Sequence, residues 1–176
     1  MFYRAKPGEK NEDRIWNDVS QITKVLEALE LNKEKLTAVQ FSSNSIGKIP
    51  AEKISEKLKE AKNLQYVNIS DIFVGRKNDE IPPALSYMVM SIMDKNIRII
   101  NFSDNAFGPI GVEQISPFLK STRNLMELHI ENCGLGPEGA ELLSKSLLEN
   151  KNKLPLERLT INSNRLEDKG AKCISE

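Results

Sequence analysis

Apolar residues return along this chain in a fixed five-point pattern, L-x-x-L-x-L-x-x-N/C-x-L. Leu36, Val39, Phe41, Asn44 and Ile46 make the first instance; Leu64, Val67, Ile69, Ile72 and Val74 make the second, with Ile72 where asparagine is expected. Ile97, Ile100, Phe102, Asn105 and Phe107 form the third, Leu125, Leu128, Ile130, Cys133 and Leu135 the fourth, and Leu156, Leu159, Ile161, Asn164 and Leu166 the fifth. Alternation inside each x-L-x-L-x core predicts a short strand with its two aliphatic residues turned inward. The Asn or Cys that follows at a fixed offset predicts a polar side chain turned inward to satisfy backbone groups where the chain curves, with Cys133 as a structural substitute. Three residues later stand Gly47, Gly75, Gly108 and Gly136, which predict tight turns; the fifth instance has Glu167.

Between these strands the apolar spacing changes to that of helices. Ile54, Leu58 and Ala61 follow i, i+4, i+7, as do Leu85, Met88, Val89, Ile92 and Met93 in the next stretch and Ala140, Leu143 and Leu147 later, with Pro50, Pro82 or Pro83, Pro109 and Pro137 near the starts. The pattern starts lie 28, 33, 28 and 31 residues apart, room for a full helix in each unit. Such units define a leucine-rich-repeat solenoid of the α/β class, a right-handed β-α superhelix with parallel strands on the concave face and helices on the convex face. Residues 1–35 read as an N-terminal capping segment and helix, with Val19, Ile22, Val25, Leu26 and Leu29 on one face and Phe2 and Trp16 beside it. Residues 36–176 read as about five repeats, the last truncated in a helix that starts near Asp168. The expectation is a fragment of a longer solenoid whose final repeat leaves apolar surface uncovered.

Composition narrows the function classes. With 25 Lys and Arg against 25 Asp and Glu, the net charge is zero and the pI about 6.6, which argues against nucleic acid as a partner. The longest apolar run, Tyr87 to Met93, is far short of the roughly 20 residues that span a bilayer, and the first ten residues lack a signal-peptide core, so an intracellular protein with no membrane partner is expected. Cys133 and Cys173 match neither a metal-ligand spacing nor a disulfide framework. A single histidine, His129, excludes a zinc site built on paired histidines. The expectation is therefore no metal, no cofactor and no catalytic cluster of the chain's own.

Three segments carry more than the repeat pattern requires: Asp71-Ile72-Phe73-Val74-Gly75-Arg76-Lys77-Asn78-Asp79-Glu80-Ile81-Pro82, Ser103-Asp104-Asn105-Ala106-Phe107-Gly108-Pro109, and Asn132-Cys133-Gly134-Leu135-Gly136-Pro137, joined by Asn164-Arg165-Leu166-Glu167. In order and approximate spacing they closely resemble the RanGAP family, the GTPase-activating proteins of the Ran transport cycle, over about residues 18–176. The longest repeat, at 33 residues, is the one containing Arg76, and its extra length falls where the family carries its marked arginine. The resemblance implies a crescent of repeats that binds the small GTPase Ran in its GTP-bound form, a Ran-binding protein being a further component. It would stimulate GTP hydrolysis in nucleocytoplasmic transport, acting in the cytoplasm or at the cytoplasmic face of the nuclear pore. Many GTPase activators insert an arginine worth about 10³ to 10⁵ in rate. This family, by resemblance, works without such a finger, contacting the switch regions and helping the GTPase's own glutamine hold the attacking water.

On that reading the GTPase interface comprises Arg76, Asn132, Asp104, Asp71 and Lys77. Arg76 belongs at the interface and outside the nucleotide pocket, as a loop arginine contributing little to folding. Asn132 precedes the inward Cys133 and is expected on the exposed edge, in the offset shared by Ser43, Asp71, Asp104 and Ser163. Asp71 and Asp104, with Glu127 and Glu131, would give that edge an acidic character, which Arg158 opposes. Taken singly, Arg76 reads as a solvated loop arginine, Asn132 as an exposed amide and Asp104 as a turn residue bonding its own backbone. His129 is expected on the concave surface, as are Asn68 and Asn101. The alternative function is an interaction scaffold or inhibitor with no effect on GTP hydrolysis, because the fold alone permits either.

Overall fold

The computed structural model describes residues 1–7 and 12–175. Strands β1 (Phe2–Arg4), β3 (Ala38–Gln40), β5 (Tyr66–Asn68), β6 (Ile99–Asn101), β7 (Glu127–His129) and β8 (Arg158–Thr160) form one parallel sheet in that order, and β2 (Ile15–Trp16) pairs in parallel with β4 (Ser45–Ile46) in a second, two-stranded sheet. Helices α1 (Thr23–Asn32), α2 (Lys48–Glu60), α3 (Ile81–Met90), α4 (Gly108–Ser121), α5 (Gly136–Leu148) and α6 (Glu167–Ser175) alternate with the strands of the larger sheet. One strand and one helix per repeat, joined by crossovers that keep every strand parallel, make a leucine-rich-repeat solenoid.

Register follows the aliphatic positions without a slip. Val39, Val67, Ile100, Leu128 and Leu159 stand in one row across the sheet, flanked by the outward rows Ala38, Tyr66, Ile99, Glu127, Arg158 and Gln40, Asn68, Asn101, His129, Thr160. A shift of one residue would turn every one of these apolar side chains to solvent. Behind the strands, Ile54 and Leu58 of α2, Leu85, Met88 and Val89 of α3 and Leu143 of α5 close a single continuous core.

The expected inward polar side chains are there: Asn44 bonds only its own turn, whereas Asn105, Cys133 and Asn164 also reach the preceding repeat. Asn105 donates from Nδ2 to Phe102 O at 2.7 Å and to Ile69 O in the preceding repeat at 2.8 Å, while its Oδ1 accepts the Ile72 N–H at 2.9 Å. Asn164 does the same two repeats later, donating to Ile130 O and Ile161 O and accepting the Cys133 N–H. Cys133 substitutes as expected: its thiol lies 3.3 Å from Phe102 O of the repeat before it, and burial pushes its pKa up to about 12, so it stays a neutral donor.

Some details differ from the sequence reading. The segment that includes Phe2 forms an edge strand, and Phe2 itself is exposed; Tyr3 instead packs on Phe41, ring centres 6.2 Å apart. The N-terminal amphipathic stretch divides into a 3-10 turn, Val19–Ile22, capped by Asp18, followed by α1. Of the four pattern glycines, Gly75, Gly108 and Gly136 take positive φ, and so does Glu167 at φ 55° in the fifth repeat, whereas Gly47 does not. Leu156, Leu159, Ile161 and Leu166 of the fifth repeat are only partly buried, which agrees with the uncovered apolar surface expected there.

A buried amide that ties two repeats should matter more than one that ties a single turn. Asn105→Ala is expected to cost about 3 kcal/mol in urea unfolding, since it orphans two carbonyls and one N–H, while Asn44→Ala, whose amide reaches only Phe41 O and Ser42 O, is expected to cost about 1 kcal/mol. Equal losses would contradict the inter-repeat role.

Candidate functional site

At the end of each strand where the chain turns toward its helix, five residues take left-handed backbone: Ser43, Asp71, Asp104, Asn132 and Ser163, with φ of 64°, 52°, 62°, 50° and 58°. Asn and Asp tolerate this conformation better than most side chains, so local geometry by itself accounts for part of the polar character there. The turns stack: Ser43 N donates to Asp71 O, Asp71 N to Ser103 O, Asp104 N to Glu131 O and Asn132 N to Asn162 O, at 2.9 to 3.1 Å. Asp71, Asp104 and Asn132 therefore lie along one continuous rim at the C-terminal ends of the strands.

Side chains on this rim are paired in sequence. Asn132 Nδ2 donates to Asp104 Oδ1 at 3.0 Å, and Asn162 Nδ2 donates to Glu131 Oε1 at 2.7 Å. Each carboxylate is thus held by an amide from the following repeat. With its NH2 group turned to Asp104, Asn132 keeps its carbonyl oxygen as an exposed acceptor, and Asp104 becomes the group that orients it.

Arg76 sits at the N-terminal end of the same rim but is not a solvated loop side chain. Its guanidinium donates to Ser45 Oγ (2.9 Å), Ser45 O (2.7 Å), Trp16 O (2.9 Å) and Asn17 Oδ1 (2.6 Å), and only 8% of the side chain is exposed. Burial lowers its pKa, and the Glu80 carboxylate at 3.7 Å opposes that effect. Gly47 makes room for it: a Cβ there would lie 3.0 Å from Arg76 Nη1 and 3.1 Å from Trp16 O. Ser45 completes the knot by donating to Val74 O at 2.6 Å. Arg76 therefore fastens the N-terminal segment to the first two repeats, which corrects the expectation that it contributes little to folding. Spacing could not foretell these partners, because Trp16 and Asn17 are 60 and 59 positions away; the one sequence signal was Gly47, whose φ needs no glycine.

The remaining candidates divide. Lys77 is exposed on the loop after Arg76, its backbone N–H bonded to Glu80. His129 lies on the concave surface with Asn68 and Asn101; its Nδ1 is 2.8 Å from Thr160 Oγ1 and its Nε2 is 3.3 Å from Glu127 Oε2. Arg158 lies 3.8 Å from that same Glu127 carboxylate, so Glu127 belongs to a concave-face cluster away from the Asp104 and Asn132 pair. Among the described residues no helix is long and apolar enough to cross a membrane, and no three His, Cys, Asp or Glu side chains gather in a metal-binding group.

Comparison with known proteins is consistent with this architecture. A family model for leucine-rich repeats matches residues 122–144 and 153–175. Over 176 residues, 92% of this chain and 29% of the relative, the chain is 35% identical to a Ran GTPase-activating protein of Drosophila melanogaster. It is 35% identical to Ran GTPase-activating protein 1 of Xenopus laevis, covering 81% of this chain and 27% of the relative, and 30% identical to Ran GTPase-activating protein 1 of Saccharomyces cerevisiae, covering 77% and 36%. The chain spans roughly a third, or less, of the length of these relatives.

The geometry at Arg76 makes a stability prediction. Arg76→Ala is expected to lower the melting temperature by about 5 °C or more, because four acceptors lose a charged donor at a nearly buried position. Arg76→Lys should recover little of this, since an ammonium cannot span the fork. A melt of Arg76→Ala superimposable on that of the parent would show the knot to be dispensable.

Proposed function

The chain is a leucine-rich-repeat homologue, over most of its own length, of the Ran GTPase-activating proteins, and from that premise we propose that its rim binds a Ran-type small GTPase in the GTP-bound state and accelerates GTP hydrolysis. The observation that carries the reading is the Asn132–Asp104 pair, an amide oriented by a carboxylate from the neighbouring repeat so that a rigid acceptor faces outward. An acceptor held in that way can position a donor on a switch segment without rearranging, which is how a partner lowers a barrier by ordering groups it does not itself supply. Asp71 and Lys77 extend the contact toward the N-terminal end of the rim.

Arg76 works in this scheme as a positioning residue. Reaching the nucleotide would require breaking all four of its hydrogen bonds and exposing Trp16 O and Ser45 O, so the catalytic groups for hydrolysis belong to the GTPase. In this reading the chain itself supplies no nucleophile, and the engaged ring nitrogens of His129 and the buried, neutral Cys133 thiol favour it. Recognition of the GTP form, a Ran-binding protein as a third component and action in the cytoplasm belong to the same proposal.

Single-turnover hydrolysis of Ran-bound GTP, with and without the chain, is the direct test. Acceleration is expected, and Asn132→Ala should reduce it by about tenfold or more with an unchanged melt, as for a central interface residue. Asp104→Ala should give a smaller loss of the same kind by freeing the Asn132 amide. Hydrolysis that is indifferent to the chain would leave the scaffold reading.

A further inference from the structure

The opposite edge of the sheet, where the chain enters each strand, carries a row of its own. Thr37, Gln65, Arg98, Met126 and Glu157 stand along it, each after the first donating its backbone N–H to the carbonyl of the one before at 2.8 Å. Arg98 is the one cation of that row, it is exposed, and among the described residues no carboxylate pairs with it. Its guanidinium rests instead on the Met126 thioether, with Nη2 at 3.1 Å and Nε at 3.4 Å from Sδ. A thioether is a weak, uncharged acceptor, so the contact directs the guanidinium without neutralising it. The Nη1 and Nη2 end of the fork is left free.

Two cavities share Gln65, Arg98 and Met126. The first, of about 300 Å³, is completed by Asn96, Asn124 and Pro155, so its walls hold one guanidinium, three carboxamides and no carboxylate. Asn124 Nδ2 donates to Asn96 Oδ1 at 2.6 Å, and among the described residues the Asn96 NH2 group has no acceptor. The second cavity, of about 340 Å³, lies on the concave face, where Ala38, Tyr66 and Ile99 add apolar wall. Glu127 also lines it, 3.3 Å from His129 Nε2 and 3.8 Å from Arg158 Nη1. Beyond the Asn96 and Asn124 pair an adjoining cavity holds Arg123 and Asp94, whose carboxylate is taken by Lys95 at 2.8 Å and Lys62 at 3.1 Å.

We propose that this edge binds an acidic peptide segment: a side-chain carboxylate enters the first cavity, and a neighbouring apolar side chain lies in the second against Tyr66 and Ile99. The free end of the Arg98 fork takes the carboxylate through both oxygens, and the Asn96 NH2 group donates to a remaining lone pair. Occupants of other chemistry fit less well. A cation would meet Arg98, and a neutral side chain would leave the guanidinium without a counter-charge. A second carboxylate in the concave cavity would face Glu127, which is why that neighbour must be apolar. Positive charge is spread along the edge, Arg98 in one cavity and Arg123 in the next, which suits single charges on successive residues better than two charges on one phosphate. Asp104 and Asn132 lie at the other ends of the strands, so this surface stands apart from the GTPase reading and both can be occupied together.

The test titrates a labelled Glu-Glu-Leu-Glu-Glu peptide into the isotope-labelled chain, read by fluorescence anisotropy and by NMR. Saturable binding is expected, with shifts at the Asn96 and Asn124 side-chain amides and the Arg98 Nε–H. The peptide with glutamine in place of each glutamate should bind about tenfold more weakly or worse, and the one with serine in place of leucine about fivefold more weakly. Arg98→Gln should weaken the acidic peptide about tenfold with an unchanged melt, since the guanidinium bonds only a sulfur. No saturable shift at these side chains, equal affinity for the glutamate and glutamine peptides, or affinity indifferent to Arg98→Gln would overturn the assignment. Inorganic phosphate binding as tightly as the peptide, with the same shifts, would overturn it in favour of a phosphate site. The titrations contain no GTPase, so their outcome is separate from whether Ran binds the rim.

Discussion

A parallel sheet with one strand per repeat must turn its chain sharply at the rim, and every turn leaves inward-facing carbonyls and N–H groups that water cannot reach. Here those groups are satisfied by the repeat next along. Asn105 and Asn164 each bond backward to a carbonyl and an N–H of the preceding repeat, and the Cys133 thiol reaches back to Phe102 O. Stacking and turning are thereby one interaction. No repeat holds its rim conformation alone, which is the reason that neighbour terms dominate the stability of such proteins.

The functional surface inherits its order from this constraint. Once the inward residue is fixed, the residue before it is forced into left-handed backbone on the outside, and five such positions line up along one edge. Asp104 and Asn132 are adjacent in that row, and their hydrogen bond turns two solvent-exposed side chains into one oriented unit. At the N-terminal end the row has no earlier repeat to lean on. Arg76 supplies the support instead, joining Trp16, Asn17 and Ser45 with a planar fork that no other side chain could replicate.

Much of this was legible in the sequence, and for a physical reason: strand burial, register and the inward asparagines are all short-range periodic features, so Val39, Val67, Ile100 and Leu128 declared their row through spacing alone. The edge position of Asp71, Asp104 and Asn132 followed from the same count. The role of Arg76 did not, since it depends on a segment some 60 residues earlier that lies outside the repeat pattern. The exposed Val74 was equally hidden, because Ile72, Phe73 and Val74 are all apolar and only packing decides which of them turns outward. Phe2, read as cap material, forms an exposed edge strand because Tyr3 takes the inward position against Phe41.

The account divides labour along the rim: Asn132 faces the partner, oriented by Asp104, while Arg76 holds the end of the rim from within. A crystal structure of this chain bound to Ran carrying a non-hydrolysable GTP analogue would examine that division atom by atom. The account predicts the Asn132 carbonyl oxygen within hydrogen-bond distance of the GTPase and the Arg76 guanidinium still on Trp16 O and Ser45. An Arg76 side chain swung out of its knot and laid against the γ-phosphate would contradict it.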